Sequence, residues 1–531
     1  MSKPICPSHS ECKMAAVLWT AAVAAAVSVT IWAVLAFARW WKLWKIINKI
    51  PGPPAYPLVG NALQFKTEPA AFFAQVTGWF QAFMNDDAPM MYLWLGPSPT
   101  VWLLQTETFE VFFNSSKHIT KSNFYDFFNP WLGNGLLIST GDKWRTRRRL
   151  ITPTFHFKIL SDFLHEFHDQ SEIMVRKLDK MAGTGEEFDV FPFVTRCALD
   201  IICGTAMGKS LNAQNNADSD YVRAIHRMTD LIQVRQKSPW YWSDVIFKNV
   251  GPGREFEKTL RILHDFTRSV IEERREQFQK QLESQAQDAF DIVEDPDKPV
   301  AIGGRKRLAF LDMLLYASVG ETKLTNADIQ EEVDTFMFEG HDTGTAAANW
   351  TLFLIGSHPE VQRKVHEEMD RVLSDPDKKP TMDDLREMKY LECCIKESLR
   401  LYPSIPFFGR TLSEDCVIGG YDVPKGVTAV ISAYNVHRNP KHWPDAERFD
   451  PERFFTENTA GRHPYTYIPF SAGLRNCVGQ KFALAEEKVL LSSIFRRFRV
   501  ETTQRRDDLK PMGDVVLRPK NGVRVKLHHR E

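Results

Sequence analysis

Near the C-terminus, Phe470-Ser471-Ala472-Gly473-Leu474-Arg475-Asn476-Cys477-Val478-Gly479 sets one cysteine between two glycines, just before a helical run from Lys481 to Phe495. A thiolate that ligates a planar metal macrocycle needs backbone close beneath the ring, which glycine allows, and N–H donors that temper the sulfur's charge. Arg475, two residues from the cysteine, suits a carboxylate on such a macrocycle. A lone cysteine beside a glycine is usually structural; it is the whole pattern FxxGxRxCxG that points to ligation. Upstream, Phe338-Glu339-Gly340-His341-Asp342-Thr343-Gly344 places two glycines within five residues of a helical stretch. Glycine costs about 1 kcal/mol against alanine inside a helix, so the pair predicts a local opening of the hydrogen-bond ladder that admits dioxygen and water, although a capped kink accounts for the same residues. Glu397 and Arg400 stand three apart on one helix face, by spacing alone an exposed ion pair.

These residues need elements to hold them. The run from Asn326 to Ser357 opens on a Thr325-x-x-Asp328 capping box and reads as one long apolar helix. Helical periodicity also marks 155–182, 255–285, 359–374 and 383–401. Between 60 and 105, MMYLWLG and TVWLLQ read as short strands bounded by glycine and proline. Residues 284–308 read as a polar exposed loop, and 403–470, punctuated by proline and glycine, as irregular, turn-rich chain. The expected class is mainly α with small β-sheets.

From Met14 to Ala38 the chain carries 25 residues without a charge. At about 1.5 Å per residue this crosses a bilayer core of about 30 Å. Trp19 near one end, and Trp40, Trp41 and Trp44 past the other, fit interfacial anchors. Arg39, Lys42, Lys45 and Lys49 place the C-terminal body on the cytosolic side. The expected organisation is a short lumenal N-terminus (1–13), a transmembrane anchor (14–38), a basic and Pro-rich linker (39–60) and a catalytic body (61–531). No second run of comparable length follows, which excludes a channel or transporter bundle. With 67 basic residues against 67 acidic ones in 531, and 43% hydrophobic residues, the chain is neither disordered nor a generally basic nucleic-acid binder. Eight cysteines without a CxxC pair fit a reducing compartment. His165-Glu166-Phe167-His168 lacks HExxH spacing and reads as a surface pair.

Over about residues 50–531 the separated motifs, in this order, resemble those of the haem-thiolate monooxygenases, the cytochromes P450. The resemblance implies that family's fold, with haem b between the long central helix and the cysteine loop. It implies Cys477 as the axial ligand of the iron, whose sulfur favours O–O cleavage. Trp144 and Arg148 in a WxxxR pattern, with Arg410 and Arg475, match the partners of the haem propionates. Asp342 and Thr343 match the acid–alcohol pair that relays protons, and Glu397 and Arg400, completed by Arg453, match a structural triad that locks the cysteine loop.

Glu339, directly before Gly340, is similar to family 4, whose members attack the terminal carbon of fatty acids and whose matching glutamate can form an ester to a haem methyl. FMFEGHDT, the segment from Cys197 to Gly208, SPWYW and GRHPYTYIPFSAG look most like subfamily V. Gly344 stands where a second threonine is usual, and Leu474 where proline is usual. The resemblance implies ω-hydroxylation of medium- and long-chain fatty acids, saturated and polyunsaturated, at the endoplasmic reticulum membrane. Electrons from NADPH would arrive through NADPH-cytochrome P450 reductase, with cytochrome b5 a further candidate donor, because Gly133-Asn134-Gly135 is only a fragment of a dinucleotide fingerprint. Lys143, Arg145, Arg147, Arg148 and Arg149 form a cationic cluster suited to an acidic partner rather than to nucleic acid. Phe124–Trp131 and Trp240–Trp242 are candidate walls of an apolar channel. A haem-thiolate isomerase and a haem sensor are the competing readings; retention of Asp342 and Thr343 argues against the first.

Overall fold

The chain opens on a 39-residue helix, α1 (His9–Ile47), in a computed structural model that describes residues 9–216, 220–292, 310–319, 324–375, 378–513 and 515–530. Its apolar stretch, Val17–Ile47, is long enough to cross a membrane and leaves its most apolar window wholly exposed, so it fits a membrane anchor. The helix does not end at Ala38; it continues through the basic residues that read as linker. The reason is packing: the Trp40 and Trp44 rings lie 6.0 and 4.8 Å from Trp94, and Trp40 Nε1 donates to the Pro97 carbonyl at 3.1 Å. The anchor is thereby fastened to the first hairpin, and only the prolines from Pro51 onward force an end.

That hairpin is β1 (Met90–Leu95) and β2 (Ser98–Leu103), the two strands expected from their glycine- and proline-bounded apolar runs. The helices that build the site follow along the chain: α2 (Gly141–Ile151), α3 (Asp220–Lys237), the central helix α4 (Asn326–Gly356) and α5 (Lys389–Leu401). Then come β3 (Phe407–Thr411), β4 (Thr428–Ser432) and α6 (Gln480–Arg497). The strands form one sheet in the order β1-β2-β4-β3, with β2 and β4 parallel through Trp102↔Val430 and β3 returning antiparallel through Gly409↔Val430. The passage 403–470 is therefore more regular than its proline content suggests. Residues 284–292 likewise prolong the helix Gly253–Ile292, and the rest of the polar stretch to 308 lies outside the described residues.

The central helix α4 begins at the expected capping box, with Thr325 Oγ1 accepting from the Asp328 amide at 3.1 Å and Asp328 Oδ2 accepting from the Thr325 amide at 3.0 Å. It is buried on nearly every side, with polar residues such as Glu332, Asp334 and Asp342 buried along with the apolar ones. The expected opening of its ladder at Gly340 and Gly344 is absent: the helix is continuous there. The glycines serve close approach instead. A methyl group on Gly340 would lie 2.7 Å from Ile202, and one on Gly344 would lie 3.3 Å from Glu486 Oε2 on α6.

Glu486 faces α4 with both carboxyl oxygens buried and without a hydrogen-bond partner, and Glu487 beside it is 2% exposed. Burial pushes Glu486 far above the usual carboxylate range and Glu487 up to about 8. A carboxyl raised in the folded state contributes stability that is full below its unfolded value, about 4.3, and is lost as pH rises through its folded value. Glu486→Gln, which keeps the shape and removes the ionisation, should therefore raise the melting temperature at about pH 8 more than at about pH 5. Melting curves at the two pH values check this.

Candidate active site

The cysteine loop is built by its own backbone. The Cys477 amide donates to the Phe470 carbonyl at 2.9 Å, and the Asn476 amide to the Gly473 carbonyl at 3.1 Å. Gly473 has φ +69° and its missing side chain would collide with the Phe113 carbonyl, so the position requires glycine. The Cys477 sulfur opens onto a cavity of 440 Å³ rather than onto bulk solvent. Burial pushes the thiol up to about 11, while the Gly479 and Gln480 amides and Arg148 favour the thiolate. Those two N–H groups are donors of the kind that would temper the charge of a ligating thiolate.

The opposite wall comes from α4, where Glu339, Gly340, Thr343 and Gly344 line the cavity. Thr343 Oγ1 donates back to the Glu339 carbonyl at 2.9 Å. Burial raises the Glu339 carboxyl to about 7, against the pull of Lys121. Asp342 is turned away: it is 1% exposed, ion-paired with Arg518, and its Oδ1 has no hydrogen-bond partner. Arg518 in turn meets His226 Nδ1 of α3 at 2.7 Å. The sequence places Asp342 beside Thr343, but the helix puts them on different faces.

Around the rim, Trp144, Arg148, Arg410 and Arg475 converge on the same cavity. Arg475 donates to the carbonyls of Ile119, Leu136 and Ser139, and its guanidinium lies 4.8 Å over Trp144. Arg410 donates to the Phe112 carbonyl at 2.6 Å, and Arg148 grips Asn476 through two bonds of 2.7 Å. Lys121 joins them, a residue that nothing in its own stretch of sequence marks. Burial, then Arg475 and Arg410, push its ammonium down to about 7. Burial holds all three arginines below their ordinary values too. Four cations gathered in a poorly solvated rim, facing one carboxylate, form a site that lacks negative charge, and the two propionates of a haem fit it.

Glu397 and Arg400 are not the exposed pair that spacing alone describes; both are 0% exposed. Arg400 Nε and Nη2 bind the two Glu397 oxygens at 2.7 Å each, and its remaining donors reach the carbonyls of His437, Ala446 and Arg448. Arg453 Nε lies 3.6 Å from Glu397 Oε1, and the Asp450 amide donates to that oxygen at 3.0 Å. His437 carries the connection onward, its Nε2 accepting from the Ile468 amide at 2.8 Å, two residues before the cysteine loop begins. Burial, then Arg400 and Arg438, hold His437 neutral, down to about 3.

Two expected features divide. On α2, Lys143 binds Glu331 at 2.6 Å, Arg147 is buried against Asp328, and Arg148 turns inward, so the cationic cluster leaves only Arg145 and Arg149 exposed. Of the aromatic stretches, Phe124, Tyr125 and Phe128 line the cavity, whereas Trp131 packs on Phe338 at 4.6 Å. Trp240–Trp242 are not cavity walls; Trp240 is 55% exposed. His165 pairs with Asp169 at 2.9 Å.

A long central helix facing a glycine-bracketed cysteine loop, with buried cations around the rim, is the site of a haem-thiolate protein. The family model for cytochrome P450 matches residues 50–527, and the chain belongs to that family of oxidoreductases, whose haem is held by a cysteine thiolate. It is 49% identical to the mouse protein Cytochrome P450 4V2 over 520 residues, 97% of this chain and 96% of that one. The human Cytochrome P450 4V2 is 49% identical over 498 residues (94% and 92%), and Cytochrome P450 4c3 of Drosophila melanogaster 46% over 511 (95% and 94%). These relatives put the chain in family 4, beside subfamily V.

Proposed function

We propose that this protein is a membrane-anchored monooxygenase that hydroxylates the terminal carbon of medium- and long-chain fatty acids, saturated and polyunsaturated. The observation that carries the reading is Glu339, a carboxyl on the α4 wall of a largely apolar cavity and close enough to Cys477 for the two to interact electrostatically. Cys477 is the thiolate that would hold haem, and Trp144, Arg148, Arg410 and Arg475, joined by Lys121, would take its propionates. Bound haem supplies dioxygen activation. The protein's part is to admit only the chain end: a terminal C–H bond is stronger than its neighbours, so geometry has to override bond strength. An ester from Glu339 would stiffen that end of the cavity. Thr343 presents its hydroxyl there, and Asp342 would relay protons, taking one from water when its ion pair with Arg518 opens and passing it on as the carboxyl turns inward. Glu397, Arg400 and Arg453 hold the loop. Electrons come from NADPH through a flavoprotein reductase, with cytochrome b5 a second donor, and α1 anchors the protein in the endoplasmic reticulum membrane with its body in the cytosol.

The test is product analysis by mass spectrometry after incubating the full chain in vesicles with a reductase, NADPH and mixed fatty acids. A dominant terminal alcohol that requires NADPH supports the reading; no oxidised lipid despite an intact thiolate spectrum overturns it. Glu339→Ala should render all haem extractable by acidified organic solvent and raise the share of penultimate-carbon product. Wild-type haem that is already wholly extractable defeats the ester.

A further inference from the structure

The carbonyls inside α4 carry more than the helix's own ladder. His341 Nδ1 meets the Met337 carbonyl at 2.7 Å, Thr343 Oγ1 donates to the Glu339 carbonyl at 2.9 Å and Asn349 Nδ2 to the Thr345 carbonyl at 2.8 Å, each bonding back one turn along the same helix. Another donor arrives from a different segment. Ser404 Oγ, three residues past the end of α5, donates to the Thr343 carbonyl at 2.8 Å. That carbonyl lies in the interior of a continuous helix, where the Ala347 amide is its regular partner. A side chain inserted beside a helical hydrogen bond is one of the few causes of a local break in a ladder. The Thr343 carbonyl also belongs to the peptide joined to Gly344, which can turn without the Cβ clash that other residues meet.

The same segment reaches Asp342 as well. The Ser404 carbonyl accepts from the Leu517 amide at 2.8 Å, and the next residue, Arg518, is the ion partner of Asp342. Tyr402 stacks on Trp350 of α4 with ring centroids 3.9 Å apart, and Trp350 Nε1 donates to the Leu517 carbonyl at 2.8 Å. Ser404 lines the cavity together with Ile405, Pro406 and Phe407. A molecule lying in the cavity therefore touches a segment that holds Thr343 through a side chain and the strand of Arg518 through a backbone bond.

We propose that Ser404 is a positioning residue for proton delivery: it keeps hold of the Thr343 carbonyl when α4 opens between Thr343 and Ala347, so that water reaches the Thr343 hydroxyl. A buried carbonyl released from a helix needs a new partner, and Ser404, itself buried, is already bonded to this one. The inference rests on the reading of Asp342 and Thr343 above and names the residue that makes the intact helix able to open at that point.

Ser404→Ala tests this in the full haem-loaded chain in vesicles, with Ser404→Thr as the variant that keeps the hydroxyl. Hydrogen exchange of the α4 peptide covering residues 343–347, followed by mass spectrometry, should slow about tenfold in Ser404→Ala, since opening then leaves the carbonyl bare. A tie that only braces α4 predicts the opposite, faster exchange. With a reductase, NADPH and a fatty acid, KM should stay unchanged while hydrogen peroxide formed per alcohol rises about tenfold. In that leak dioxygen leaves with the two electrons of NADPH and two protons instead of being cleaved. Ser404→Thr should restore both values. Thr343→Ala, measured alongside, separates the two claims. Leak in Thr343→Ala but not in Ser404→Ala, or faster exchange in the latter, overturns the role of Ser404 and leaves the proton relay standing. No leak in Thr343→Ala overturns that relay and this inference with it.

Discussion

Cys477→Ser abolishes the thiolate-type absorption band of the carbon monoxide complex and reduces NADPH-dependent oxidation to background. Losing one hydrogen-bonding partner of a metal ligand typically costs about 10- to 100-fold, and losing the ligand itself costs more. A serine hydroxyl remains protonated beside the same two amides, Gly479 and Gln480, that favour charge on the sulfur. The fold has little reason to change, because the loop is closed by the backbone bond from the Cys477 amide to the Phe470 carbonyl, which serine retains. Circular dichroism should therefore match wild type while the absorption spectrum does not. A retained thiolate band would remove Cys477 as the ligand.

Arg400→Ala is expected to be the most damaging change away from the haem. It leaves Glu397 fully buried without its bidentate partner and strips donors from the carbonyls of His437, Ala446 and Arg448. Breaking a buried ion pair by removing one partner costs about 3–5 kcal/mol, a large part of a typical stability of about 5–15 kcal/mol. The damage should reach the cysteine loop through His437 and Ile468. The expected result is a lower denaturation midpoint together with less haem per folded chain. Arg400→Lys keeps the charge but not the planar fork, and should fall between. Full haem content in Arg400→Ala would show that the pair is not needed to hold the loop.

Much of the architecture is legible without coordinates because its signals are local. The capping box of α4, the periodic helices and the apolar anchor depend on neighbours a few residues apart. The end of α1 was not legible, because Trp40 and Trp44 find Trp94 about fifty residues away, and that contact carries the helix past Ala38. The spacing of the glycines in α4 suggested a broken ladder, where packing against Ile202 and Glu486 instead calls for small residues in an intact helix.

The site divides along the same line. The order of residues in the chain determined the cysteine loop, its flanking glycines and the arginines that accompany it, since a loop of this kind is defined by backbone conformation over a handful of residues. Tertiary structure alone decided which charges are buried and what they face. It turned Glu397 and Arg400 from a surface pair into a fully buried ion pair, divided the cationic face of α2, brought Lys121 to the rim and tied Asp342 to Arg518. The physical reason is that a charge's worth depends on its dielectric surroundings and its partners, and here those come from segments hundreds of residues apart.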